Sequence, residues 1–128
     1  FVIASGRPAD LQYNVVNQLS FRVDSLQTLR ELHEQLKSEP GVKILGPVTH
    51  GNALSVYFLD PEGNRVELYC SSPWHVSQPF GEPLDLTEPA DVIRAKTEAM
   101  VKQDPTCQPM DVWVAQMKKK MSAQKIPA

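Results

Sequence analysis

The sequence predicts an α+β domain: a β-α-β-β-β unit followed by a helical extension at the C-terminal end. The first observation is the alternation of apolar and other residues over 55–69, which is typical of two strands joined by a turn. The second is an apolar stripe at helical spacing that stops before Pro40-Gly41 and consists of Leu26, Leu29, Leu32 and Leu36. Together they favour a sheet that is covered by a helix on one side.

The elements before the hairpin are predicted from shorter patterns. Residues 15–23 alternate as a strand, and Asp24 is the expected N-cap of the leucine-striped helix. Residues 42–45 form a predicted short strand that Gly46-Pro47 is expected to break. The unit therefore has the order β-α-β-β-β.

The hairpin has two chemically different faces. Its turn is predicted from Pro61, which presets φ, and Gly63, which tolerates a positive φ. The expected core face carries Val56, Phe58, Val66 and Leu68. The opposite face carries Ser55, Tyr57, Arg65, Glu67 and Tyr69. A phenol and a carboxylate are thus expected on one side of the sheet.

The chain is predicted to have three parts. Residues 1–13 would be the final strand of a preceding module with its connecting loop, 14–70 the β-α-β-β-β module, and 71–128 a proline-rich arm with two helices. These helices are expected at 89–103 and 111–121. Their apolar stripes are expected to pack on the protein and comprise Ile93, Met100, Val101, Trp113, Met117 and Met121.

Composition excludes several classes of protein. With 128 residues, 41% of them hydrophobic, the chain has the size of one ordinary domain. The net charge of −2 argues against nucleic-acid binding, and the basic run 118–120 is expected to be a solvated helix face. No apolar run approaches the roughly 20 residues of a transmembrane helix. Cys70 and Cys107 lie in no metal-binding or disulfide pattern and are assigned to packing. Because the sequence has no disulfide pattern, the reducing cytoplasm is the expected location.

The polar side of the predicted sheet has two explanations. Its residues can be ordinary solvent-facing side chains, as on many half-buried antiparallel sheets. Alternatively, the Gln18 amide, the Glu67 carboxylate and the Tyr57 phenol converge on a site, where carboxylate and amide oxygens suit a divalent ion. Two protein ligands are too few for a tight site, so further ligands would come from another module.

The histidines differ in what their positions suggest. His50 lies beside the hairpin, where an imidazole suits metal binding or proton transfer, although it can equally be a turn residue. His33 is expected on the exposed side of its helix. His75, in the proline-rich arm, either covers the site or has no role there.

Three segments carry a resemblance to a known superfamily. The stretches NQLSFRV at 17–23, GPVTHG at 46–51 and YFLDPEGNRVE at 57–67 resemble the last module of extradiol catechol dioxygenases. These belong to the vicinal oxygen chelate superfamily, which also contains glyoxalases and bleomycin resistance proteins. The resemblance covers about residues 14–70 and implies paired β-α-β-β-β modules forming a cup around a divalent metal.

The resemblance also implies roles for individual residues. Glu67 matches the metal-binding glutamate, Tyr57 the tyrosine that hydrogen-bonds the bound catecholate, and His50 a histidine close to the substrate, while Arg22 is a further candidate for substrate binding. Gln18 departs from the pattern, because dioxygenases have a histidine ligand to Fe(II) there. Glyoxalases use a glutamine on the equivalent strand as a metal ligand.

The resemblance implies an extradiol dioxygenase-like protein that cleaves or binds a catechol-type aromatic with Fe(II). Two alternatives stay open: a glyoxalase-like metal-dependent lyase or isomerase, favoured by Gln18, and a metal-free module that binds a small molecule. A single module would expose its polar face. A homodimer, or pairing with a second module of a longer protein, is therefore expected.

Overall fold

The computed structural model describes residues 16–123, so the part predicted at 1–13 lies outside the described residues. The helices are Leu26–Leu36 (α1), Ala90–Val101 (α2) and Met110–Ala123 (α3). The strands are Leu19–Arg22 (β1), Lys43–Thr49 (β2), Ala53–Leu59 (β3), Arg65–Ser71 (β4), Trp74–His75 (β5), Glu82–Pro83 (β6) and Gln108–Pro109 (β7). The predicted α+β class is confirmed, and β1-α1-β2-β3-β4 follow the predicted order.

The main sheet is mixed and has the strand order β1-β4-β3-β2-β6. β1 runs parallel to β4, and the other neighbours are antiparallel. In this register Glu67 on β4 lies beside Ser20 on β1 and beside Tyr57 on β3. Facing residues on adjacent strands are close enough for their side chains to interact. The strand pairing therefore places three polar side chains in one line across the sheet.

The hydrophobic core lies on the other face of this sheet, under α1 and α2. Its buried members are Leu26, Leu29, Leu54, Val56, Phe58, Val66, Cys70, Leu86 and Ile93. The predicted core face of the hairpin is confirmed, because Leu68 also packs against this cluster. No helix among residues 16–123 has the length and apolarity needed to cross a membrane.

Two predictions about α1 are wrong. Its N-cap is Ser25, whose hydroxyl accepts the backbone N–H of Thr28 at 3.0 Å, whereas Asp24 accepts the Thr28 hydroxyl instead. His33 is buried, with only 7% of its surface exposed, although it was expected on the surface. It lies one turn beyond Leu29 on the same buried stripe, and burial lowers the pKa of its imidazole.

The structure also corrects one prediction about a strand end and one about the packing of a helix. Gly46-Pro47 does not break the strand, because β2 continues to Thr49 after a bulge in which Leu45 has no partner on β3. Gly46 adopts a φ of 136° there, a value that favours glycine. In α3, Met121 is 69% exposed and does not pack as expected, because this helix packs mainly against the small β5/β7 sheet.

Candidate functional site

A line of hydrogen-bonded side chains crosses the polar face of the sheet, and we call it the polar row (Gln18, Ser20, Glu67, Tyr57 and His50). The Tyr57 hydroxyl donates to Oε1 of Glu67 at 2.7 Å. The Ser20 hydroxyl donates to Oε2 at 2.6 Å, and Nε2 of Gln18 donates to the same oxygen at 2.9 Å. Three donors, one on β3, one on β1 and one just before β1, therefore converge on the Glu67 carboxylate.

His50 completes the polar row at the end of β2. Its Nε2 lies 2.9 Å from the Tyr57 hydroxyl, and its Nδ1 donates to the Phe80 carbonyl oxygen at 2.9 Å. The Gln78 amide donates to the His50 carbonyl oxygen, also at 2.9 Å. Because a carbonyl oxygen only accepts, Nδ1 carries a hydrogen. The proline-rich arm thus fixes both the position and the orientation of this imidazole.

The polar row can adopt two hydrogen-bond arrangements, because the Tyr57 hydroxyl has one hydrogen and two neighbours that could accept it. Tyr57 has a single hydroxyl hydrogen, which it donates to Glu67. For Nε2 of His50 to donate to the phenol oxygen as well, the imidazole must carry hydrogens on both nitrogens. When the phenol turns its hydrogen to Nε2 instead, the imidazole is neutral and Oε1 of Glu67 loses this donor. The two arrangements therefore differ by the hydrogen on Nε2 of His50 and by the direction of the Tyr57 hydroxyl, while Glu67 stays ionised in both.

The two central groups keep opposite protonation states at neutral pH. Burial, with the hydrogen bond to Glu67 and the negative charge of Glu67, raises the pKa of Tyr57 to about 12. Burial alone would raise the pKa of Glu67, but the hydrogen bonds from Ser20 and Tyr57 act in the opposite direction, and the pKa lies below its usual value. The site therefore presents a protonated phenol next to an ionised carboxylate.

Two arginines border the row. The Arg65 guanidinium lies over the Tyr57 ring, 4.9 Å from its centroid. Arg22, the other candidate for substrate binding, is exposed at the end of β1, where it is in register with Tyr69. Both cations add positive charge beside the carboxylate, which favours an anionic ligand on this face.

Sequence reasoning missed part of the site. The alternation over 15–23 puts Ser20 on the same side of its strand as Gln18, but only the register with Glu67 shows that it holds the carboxylate. Phe80 contributes through its main-chain carbonyl, so its side chain carries no signal of this role. His75 stacks on Trp113 with ring centroids 4.4 Å apart, so it packs against α3.

The fit of a metal ion to these residues is incomplete. Within residues 16–123, no group of three or more His, Cys, Asp or Glu side chains is arranged to hold a metal. Gln18 and Glu67 are in contact, but Nε2 of the amide, which does not bind metals, is the atom directed at the carboxylate. His50 reaches Glu67 only through Tyr57. The residues described here do not by themselves form an iron site.

Comparison with known proteins gives one partial similarity. Over 53 residues, the chain is 38% identical to biphenyl-2,3-diol 1,2-dioxygenase 2 from Rhodococcus globerulus. This stretch is 41% of the chain and 27% of that enzyme, so the chain matches about a quarter of its curated relative. No family model matches the chain. No solved structure matches it either. The similarity supports a distant relationship to a dioxygenase.

Proposed function

We propose that this chain supplies one side of an extradiol dioxygenase-like site, which binds a catechol-type aromatic and cleaves its ring. The observation that carries the proposal is the polar row, in which Tyr57 joins His50 to Glu67 on an accessible sheet face. Five side chains linked in this way are more than a solvent-facing strand requires. The partial similarity to a dioxygenase supports the same function.

Each member of the row has a role in this proposal. Tyr57, with its pKa raised to about 12, remains protonated and would turn its single hydroxyl hydrogen from Glu67 to a catecholate oxygen. His50, held by Phe80, exchanges a proton with the substrate hydroxyl. Arg22 and Arg65 attract the anionic substrate by charge.

We propose Fe(II) as the metal of the complete site, with Glu67 and Gln18 as the ligands from this chain. The bound ion would supply the activation of dioxygen. Further ligands would come from outside residues 16–123. A second β-α-β-β-β module, in a homodimer or in a longer chain, would cover the polar face, since α1 and α2 contribute to the core on the opposite side.

Elemental analysis tests the dependence on metal. We expect the full-length protein, reconstituted anaerobically with Fe(II), to retain iron, and Glu67→Ala to lose it. Glu62→Ala, in the exposed hairpin turn, is the matched control and should retain iron. Oxygen uptake with a panel of catechols then tests ring cleavage. Iron retention without uptake would favour the glyoxalase-like lyase or isomerase instead, which a glutamine at position 18 also favours.

A metal-free binding module is the second candidate, and the state of Glu67 favours it. The carboxylate already accepts hydrogen bonds from Tyr57, Ser20 and Gln18, so it is satisfied without a cation. In this case no metal is retained after reconstitution. Catechol would still bind, and it would shift the NMR signals of Tyr57 and Glu67.

A further inference from the structure

A second concave site lies on the helix-covered side of the sheet, away from the polar row. It is a cavity of about 310 Å³ between the start of α1, the end of β4 and α2. Its walls include Leu26, Leu54, Cys70, Trp74, Arg94 and Thr97. Ligand pockets begin at about 300 Å³, and an engineered apolar cavity of about 150 Å³ binds benzene. The cavity therefore has room for one aromatic ring with a polar substituent.

One part of the cavity wall is apolar, and buried Ser72 and Thr97 lie among its polar lining residues. Leu26, Leu54 and Cys70 are each only 3% exposed, and the half-buried Trp74 adds an aromatic surface. An apolar and aromatic wall beside convergent polar groups is typical of small-molecule sites. An aromatic ring is the kind of group that such walls accommodate.

The charges at the cavity leave one cation without a partner. Asp24 accepts the neutral Thr28 hydroxyl and keeps its negative charge, and Glu98 forms an ion pair with Lys102. The exposed guanidinium of Arg94 makes no hydrogen bond or ion pair among residues 16–123. A guanidinium presents paired donors that match a carboxylate, so Arg94 offers a binding point for the carboxylate of a ligand.

Thr97 provides an independent polar feature in the same wall. It is 2% exposed, and its hydroxyl has no hydrogen-bond partner within the described part of the chain. Such a buried, unpaired hydroxyl is costly and rare in folded proteins. Thr97 follows Arg94 by three residues on α2, so both side chains lie on one face of this helix.

We propose that this cavity binds a small aromatic carboxylate, with the ring between Leu54 and Trp74 and the carboxylate on Arg94 and Thr97. The ligand would neutralise the free guanidinium and give the buried hydroxyl an acceptor. The inference is independent of the function proposed for the polar row, because the two sites share no residue and lie on opposite faces of the sheet.

Benzoate is the probe that tests this site. In ¹H–¹⁵N NMR spectra of the 128-residue chain, we expect saturable shifts at Leu26, Ser72 and Thr97, and none at Tyr57 or Glu67. Neutral benzyl alcohol should bind more weakly. Absence of saturable shifts, or shifts confined to the polar row, would overturn the proposal.

Substitutions at the wall test the two polar contacts. Arg94→Gln should weaken benzoate binding about tenfold, the usual size for a charge-assisted hydrogen bond. Lys119→Gln removes an equal charge from the exposed side of α3 and should leave the affinity unchanged. Thr97→Val keeps the shape of the side chain, so it should fold normally and also bind benzoate more weakly. Unchanged affinity in both cavity variants would show that the carboxylate contacts are wrong.

Discussion

At the scale of single residues, Tyr57 determines how the polar row behaves. Its hydroxyl is the atom through which His50 and Glu67 are joined. The hydrogen bond from Tyr57 to Glu67 raises the pKa of the phenol and lowers the pKa of the carboxylate. This bond is strongest when Glu67 is ionised and Tyr57 is protonated. Removal of this single oxygen should therefore change both neighbours.

Tyr57→Phe tests this coupling. We expect the pKa of Glu67 to rise, because the carboxylate loses one of its donors, and catechol affinity to fall about tenfold. NMR titration of the Glu67 side chain measures the first effect, and ligand titration measures the second. Tyr69→Phe removes a phenol from the same face and is the control. Equal effects in the two variants would contradict a special role for Tyr57.

His33 should make the stability of the protein depend on pH. Burial lowers its pKa below the ordinary histidine value of about 6.5, so the unfolded chain binds the proton more readily than the folded one. Stability is then complete above about pH 6.5 and falls as the pH decreases below that value. Urea unfolding between about pH 5 and 7.5 should show this slope. His33→Leu should reduce it, and an unchanged slope would assign the effect to other groups.

At the scale of elements, α1 shows that helical periodicity alone does not determine which of two adjacent residues is buried. A helix of 3.6 residues per turn brings both position 32 and position 33 close to the stripe that contains Leu29. Hydrophobicity favours Leu32, but His33 is the more deeply buried of the two. Strands have a period of two, which leaves no such choice, and the faces of Tyr57 and Glu67 were predicted correctly.

The N-cap of α1 can be tested by a pair of neighbouring substitutions. Ser25→Ala should lower the free energy of unfolding by about 1 kcal/mol, because the N–H of Thr28 loses its acceptor. Asp24→Ala removes an acceptor only for the Thr28 side chain and should cost less. Chemical denaturation measures both values. A larger loss of stability for Asp24→Ala would identify Asp24, as predicted from the sequence, and not Ser25, as the N-cap.

The bulge in β2 explains how His50 enters the site. Proline interrupts most strands but is tolerated at edges and bulges, and the sequence does not distinguish these cases. Here the strand accommodates the extra residue Leu45 and continues to Thr49. His50 follows directly and reaches Tyr57. The strand β2, predicted to end at residue 45, therefore continues and positions His50 in the candidate site.

At the scale of the whole molecule, the segment after residue 70 completes the β-α-β-β-β unit. Leu86 and Ile93 join the core beneath the sheet, and the Phe80 carbonyl orients His50. The sequence indicated an arm over a surface, but not which surface. Its key contact uses a main-chain carbonyl that every residue possesses, so side-chain patterns cannot reveal it.

Gly51 lies where the sheet, the arm and α2 meet. Its φ is 73°, and a Cβ there would come within 2.6 Å of Val76 Cγ2 and 2.9 Å of Val101 Cγ1. Gly63 in the hairpin turn has a similar φ of 82°, but a Cβ would have no heavy atom within 4 Å. The two glycines therefore have similar backbone conformations and differ mainly in the space available for a Cβ atom.

Gly63→Ala should cost about 1 to 2 kcal/mol of stability, which is the penalty for an L residue in the left-handed region. Gly51→Ala should cost about 1 to 3 kcal/mol more, because two buried valines from the arm and α2 must move. Urea unfolding of both variants measures this difference. The Gly51 variant should also shift the NMR signals of His50, since displacement of the arm moves the Phe80 carbonyl. Equal stability losses would mean that the arm and α2 do not pack on the sheet at this point.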